Sequence, residues 1–147
     1  MAISRVNAKD AMLTLVKGVA DANGLTHVVY ENVDVDGGNK DQMPKTQQTW
    51  MRVLIRHRTG AATSLPGVDG SKKFQADGIV FIELMVPTGT GTNEADALAA
   101  KFETAFKTRQ TLNQDVWYTD VVSQEAGTSD GYFKTNVVAA FHYDTDE

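Results

Sequence analysis

Cysteine is missing altogether from these 147 residues. Disulfides, thiolate metal sites and thiol nucleophiles are therefore excluded together. A concentrated basic face is missing too: 14 Lys and Arg stand against 19 Asp and Glu, for a net charge of −5. Tight nucleic-acid binding takes clustered cations, because its affinity comes from neutralising phosphates. No stretch approaches the ~20 apolar residues of a membrane span. The opening Met1-Ala2-Ile3-Ser4-Arg5 carries no apolar core of a signal peptide. The expectation is a soluble chain made in a cytoplasm.

What is present is ordinary globular material, 41% hydrophobic and 22% charged. A chain of this length suits one domain burying roughly two thirds of its unfolded surface. Residues 1–147 are accordingly read as a single domain.

The periodicities place seven elements. Ser4 is a suitable N-cap, and Met12, Leu15, Val16 and Val19 recur at helical spacing up to the Asn23-Gly24 stop. These signals predict a helix from about Arg5 to Ala22. Thr26 to Val33 is β-branched and aromatic, as a strand requires. The polar stretch Asp34 to Thr49 reads as a loop. Trp50 to Arg58 alternates, with Met51, Val53 and Ile55 on one face and Arg52, Arg56 and Arg58 on the other, the pattern of a sheet covered on one side. Thr59 to Asp77 reads as a second polar loop, with turn signals at Pro66-Gly67 and Asp69-Gly70. Gly78 to Pro87 is the most apolar segment and reads as a central strand, ended by a proline that cannot donate to the ladder. A second helix follows, capped by Thr92 or Asn93, burying Ala95, Leu98, Phe102, Ala105 and Phe106. Asp115 to Gln124 and Tyr132 to Tyr143 complete the order αβββαββ as two strands joined through residues 125–131. The fold class is α+β, with both helices on one face of a mostly antiparallel or mixed sheet.

Candidate chemistry is sparse. Asn32-Val33-Asp34-Val35-Asp36-Gly37 matches the first half of a calcium loop, but Met43 stands where the closing bidentate carboxylate belongs. An Asx-rich turn explains the same residues. Gly89-Thr90-Gly91 precedes a helix, where backbone N–H groups cradle phosphates in other proteins. Here Thr92-Asn93-Glu94 follows in place of the Lys and hydroxyl pair of a Walker loop, and Glu94 repels an anion. His27, His57 and His142 form no HExxH-type pair, and no Gly-x-Ser-x-Gly elbow is present. Trp50, Trp117 and Tyr118 lack the surrounding cations of a base-stacking platform and read as core or interface aromatics. Arg52, Arg56, His57 and Arg58 make the one basic cluster. Its arginines suit ion pairs with a neighbouring subunit, or simply a solvated face. No catalytic, cofactor or metal site is expected.

One segment carries a resemblance. The run from Gly78 to Gly91, a glycine-led apolar strand ending in Pro87-Thr88-Gly89-Thr90-Gly91 and followed by the Ala/Leu-rich helix Ala95 to Phe106, resembles the phage tail-terminator family. Tyr30-Glu31-Asn32 is similar to an aromatic-Glu-Asn that members place after the first helix. Trp50-Met51-Arg52-Val53 is similar to their second strand, and Gly131-Tyr132 with Val137 to Phe141 to the last. The loops Asp34 to Thr49 and Thr59 to Asp77 are longer than the family pattern. The resemblance implies a structural virion protein of the tail and neck, assembled in the host cytoplasm. Such a protein forms a homo-oligomeric ring, as a rule a hexamer, that caps the tail tube, ends tube polymerisation and offers a surface for head joining. Implied partners are further copies of itself, the tail tube protein and the head–tail connector protein, with DNA passing through the lumen and no membrane. No cofactor is implied. An acidic balance suits that lumen, since like charge does not hold phosphates. Arg52, Arg56, Arg58, Asp69, Lys72 and Lys73 are the expected assembly contacts.

Two rivals stand beside this reading. One is another neck or tail ring protein, such as a tail-completion, head–tail joining or tube subunit. The other is a small host ligand-binding domain or enzyme, which requires a concave pocket with convergent polar groups.

Overall fold

The computed structural model describes residues 3–30, 44, 46–62, 74–89, 91–107 and 116–145. The first helix, α1 (Arg5–Ala22), has the predicted bounds, and its ends show why. The Ser4 hydroxyl accepts the Asn7 N–H at 3.1 Å, satisfying one orphan donor of the first turn. At the other end Gly24, at φ 71°, turns the chain back, so that Leu25 N–H reaches the Ala20 carbonyl and Gly24 N–H the Asp21 carbonyl. Ala8, Met12, Leu15, Val16 and Ala20 form its buried stripe.

The second helix, α2 (Asn93–Lys107), starts where the Thr92 carbonyl accepts the Asp96 N–H at 2.9 Å. Glu94 and Asp96 in its first turn and Lys107 in its last complement the helix dipole. It buries all five predicted residues and Ala99.

The strands are β1 (Val28–Tyr30), β2 (Trp50–Ala62), β3 (Phe74–Pro87), β4 (Trp117–Ser129) and β5 (Tyr132–Thr145). They form one five-stranded mixed sheet in the order β1-β2-β3-β5-β4. β1 runs parallel to β2, and every other pair is antiparallel. The fold is α+β with helices packed against the sheet. Val80, Ile82 and Leu84 of β3, Met51, Val53 and Ile55 of β2, and Val137, Ala139 and Phe141 of β5 meet the stripes of both helices in one core. Leu84 and Phe102, the centres of their respective stripes, are both completely buried in it.

Several sequence boundaries need correction. The stretch Thr59 to Asp77 is not loop throughout, because β2 and β3 stay paired from Thr59 opposite Asp77 to Ala62 opposite Phe74. The connection across residues 125–131 is likewise shorter than expected, since β4 continues to Ser129. Asp130 and Gly131, at φ 54° and 84°, make the two-residue hairpin turn. Positive φ at both central positions is the type I′ geometry that matches strand twist, and Asp-Gly is a favoured pair for it. Thr26 and His27 precede β1 rather than belonging to it; the described part of β4 opens at Trp117, and Asp115 lies outside the described residues. The calcium-like run Asn32 to Gly37, Met43, Thr90 and the turn residues 66–70 lie outside the described residues.

Candidate functional site

With both helices on one side, the opposite side of the sheet faces no helix among the described residues. Strand register shows what occupies it. Leu54 stands opposite Phe81, Phe81 opposite Val138, and Val138 opposite Val122, an apolar row crossing β2, β3, β5 and β4. Ile79 and Ala140 extend the apolar area next to it. All these residues are at least partly exposed. Large exposed hydrophobics among the described residues are Val6 on α1 and Trp117 and Val122 on β4, the last two each 48% exposed. Sheet side chains in contact with water normally alternate polar outward, so a continuous apolar row marks a contact surface rather than a solvated one.

Polar groups frame this row. On one side Arg52 faces Glu83 across β2 and β3, with Nη1 3.4 Å from Oε2. Beyond that pair Trp50, Met85, Val29 and Tyr132 make a second small cluster. His27 and Tyr132 meet the Trp50 ring edge-on, and the Arg52 guanidinium lies 5.4 Å from its centroid. Among the described residues the buried Trp50 indole N–H has no hydrogen-bond partner. On the other side of the row lie Arg56 and, at a register shift between His57 and Thr59, Arg58. Arg58 reaches the Asp77 carboxylate at 3.9 Å. Trp117 stacks on His142 at 6.2 Å between centroids, with 13° between the rings.

The expected assembly contacts therefore divide. Arg52, Arg56 and Arg58 sit together on β2, while Asp69, Lys72 and Lys73 lie outside the described residues. Arg52 is the most enclosed of the three, and Arg56 and Arg58 are exposed. Leu54, between Arg52 and Arg56, turns the outer side of β2 into an alternation of charge and apolar surface that attention to the arginines alone overlooks. Val122 is equally unmarked in the sequence, because the β4 segment carries too few buried positions to show which face is wet, while Trp117, one of the aromatics read as core or interface, lies half exposed.

Among the described residues the remaining polar side chains are scattered. His57 points to the helix side, where Nε2 is hydrogen-bonded to the Tyr143 hydroxyl at 2.6 Å. Burial lowers its pKa below the ordinary 6.5, as do the cations Arg5 and Lys9, while Asp77 acts in the opposite sense. Tyr118 is pushed up by burial against Phe106. A cleft between the end of α1 and β1 holds Lys17, Asp21 and Tyr30, the last raised chiefly by desolvation. Among the described residues no group of three His, Asp or Glu is placed to hold a metal ion. Among them, too, no helix is long and apolar enough to cross a membrane.

Comparison with known proteins agrees with this picture. No curated protein matches the sequence. A solved structure superposes with a TM-score of 0.60 at 16% identity, covering 92% of this chain and 94% of its own. At that identity the likeness concerns the fold. The family model described as phage tail terminator protein matches residues 10–139, most of the chain, from within α1 to within β5. The chain belongs to the phage tail terminator family, a structural family of phage tails.

Proposed function

We propose that this chain is the ring subunit that caps the phage tail tube, ends its polymerisation and presents the surface to which the head is joined. Family membership supports a structural role in the tail. The observation that supports the finer reading is the partly exposed apolar row Leu54–Phe81–Val138–Val122 on a sheet whose other face is covered by the helices. A chain acting alone gains nothing from leaving that row wet, whereas a subunit buries it on assembly. In this reading the chain acts as one domain, and its partners are further copies in a hexameric ring, the tube protein and the head–tail connector. DNA only passes through the lumen, and assembly takes place in the host cytoplasm.

A second reading has one observation in its favour. β2 and β3 form a long hairpin that is still paired at Ala62 and Phe74, with β5 alongside β3 to Thr145. A long hairpin suits a tube subunit that stacks on the next ring. Gold-labelled antibody on isolated tails separates the two: a terminator is decorated at one end of the tail, a tube subunit along its whole length. Label along the length overturns the capping role.

A further inference from the structure

β4 ends the sheet: β5 lies on one side of it, and no described strand lies on the other. Thr119, Asp120 and every residue from Val122 to Ser129 are exposed to solvent. Both faces of the strand are therefore wet over this length. An edge of this kind presents a row of N–H and C=O groups on which another strand can build, and a second copy of the chain supplies such a strand.

Three features of β4 work against that pairing. Its register with β5 slips twice, between Tyr118 and Val121 and between Glu125 and Gly127. At the first slip Thr119 and Asp120 stand where β5 offers Ala140 alone, and at the second Ala126 is the extra residue. Gly127, at φ 86°, has the left-handed backbone that glycine brings to a bulge. Each bulge bends the strand and breaks the even spacing of its outward groups, which confines regular pairing to Val121 to Glu125. Charge closes both ends of that stretch, with Asp120 before it and Glu125 as its last residue, and β4 has no Lys or Arg from Trp117 to Ser129. A second β4 laid antiparallel about Val122 and Ser123 sets the Asp120 of each copy opposite the Glu125 of the other, two like-charge pairs. Composition adds the third feature. Beyond Val122 the strand is polar or small-chained to its end at Ser129, so pairing there buries little apolar surface.

We infer that β4 is a guarded edge, built so that the sheet ends there in the free chain and in any assembly of it. Two bulges and two carboxylates keep copies from joining edge to edge into an open-ended sheet. A subunit guarded in this way stays soluble until it meets its site. Val122, at the end of the apolar row, lies on the sheet face, so covering it takes a neighbour on that face and not a longer sheet.

Removing the guard tests it. Deletion of Ala126 abolishes the second bulge, because Glu125 and Gly127 then stand opposite the adjacent Thr135 and Lys134. Combined with Asp120→Thr and Glu125→Thr, it leaves β4 regular over more of its length and without charge. Sedimentation velocity compares the association of this chain with that of the wild type. Hydrogen exchange of β4 peptides, read by mass spectrometry, reports whether the edge is paired. The variant is expected to associate at a roughly tenfold lower concentration, its β4 amides slowing as it does. In the wild type the same amides should exchange equally fast in the free chain, at high concentration and on isolated tails. A variant that keeps the wild-type circular dichroism and sediments like the wild type overturns the inference. Slowed exchange of wild-type β4 amides on tails or at high concentration also overturns it, since a neighbour then pairs with the edge. That second measurement decides the matter even for a variant that does not fold.

Discussion

Adding a single methyl group at Gly78 tests the packing of the sheet at its tightest point. Gly78 lies on the core face of β3, opposite His57 on β2 and Phe141 on β5. A Cβ there stands 2.0 Å from the Arg56 carbonyl oxygen and 2.8 Å from Phe141 Cζ. Comfortable contact begins at about 3.5 Å, so one neighbour has to retreat by more than ~1 Å. The nearer obstacle is backbone held in the β2–β3 ladder, so no rotamer change relieves it. Overpacking of this kind costs about 1–3 kcal/mol. For a chain of this size that lowers the melting midpoint by roughly 4–10 °C. Gly18, exposed within α1 and with no atom within 4 Å of where a methyl group would stand, is the control. The same Gly→Ala change there stabilises by about 0.5–1 kcal/mol, because alanine loses less backbone entropy and suits a helix. Thermal melts of both variants beside the wild type make the comparison. A Gly78→Ala chain as stable as the wild type refutes the close approach of β2 to β3 at this position.

Other expectations follow from the core, from His57 and from the calcium-like run Asn32 to Gly37. Phe102→Ala, at a fully buried position facing β3 and β5, should cost roughly 3–5 kcal/mol in chemical denaturation, and an unchanged midpoint would show the packing face of α2 to be wrong. His57 has its folded-state pKa below the unfolded 6.5, so the unfolded chain binds the extra proton first. Its contribution is fully present above about pH 6.5 and is lost as pH falls through the folded value; His57→Gln should flatten that part of the stability–pH curve, and an identical slope in the variant contradicts this. Melting in EDTA and in millimolar calcium should give one midpoint, because Met43 stands in place of the closing carboxylate; a large rise with calcium would restore the metal reading.

How legible this fold is in the sequence depends on how strongly burial constrains each segment. α1 and α2 are readable because their stripes face one core and their ends carry ordinary caps, Ser4 and Gly24 for the first and Thr92 for the second. β3 is readable because Val80, Ile82, Leu84 and Val86 are all completely buried. Strand ends escape where Thr59-Gly60-Ala61-Ala62 and Glu125-Ala126-Gly127-Thr128-Ser129 continue in pairing, since these small and polar residues show no apolar alternation. The ladder holds both stretches extended, and the exposed residues 125–129 are closed by the Asp130-Gly131 turn. The turn signal is present in the sequence, but the small and polar residues before it make it look like part of a longer loop. Strand order is not legible at all, because the insertion of β5 between β3 and β4 is a long-range pairing. The candidate surface is half visible. Arginine alternation points to β2, but its apolar companions come from four strands and gather only when the register is known.

The capping role is tested most directly by the length of tails assembled without this protein. Tails from cells infected by phage lacking the gene are measured by negative-stain electron microscopy, beside tails from the same infection with the wild-type chain supplied from a plasmid. The account predicts tubes of excessive and variable length without the protein, and a return to a single sharp length when it is supplied. Tubes of normal, uniform length in its absence, or no tubes at all, would contradict it.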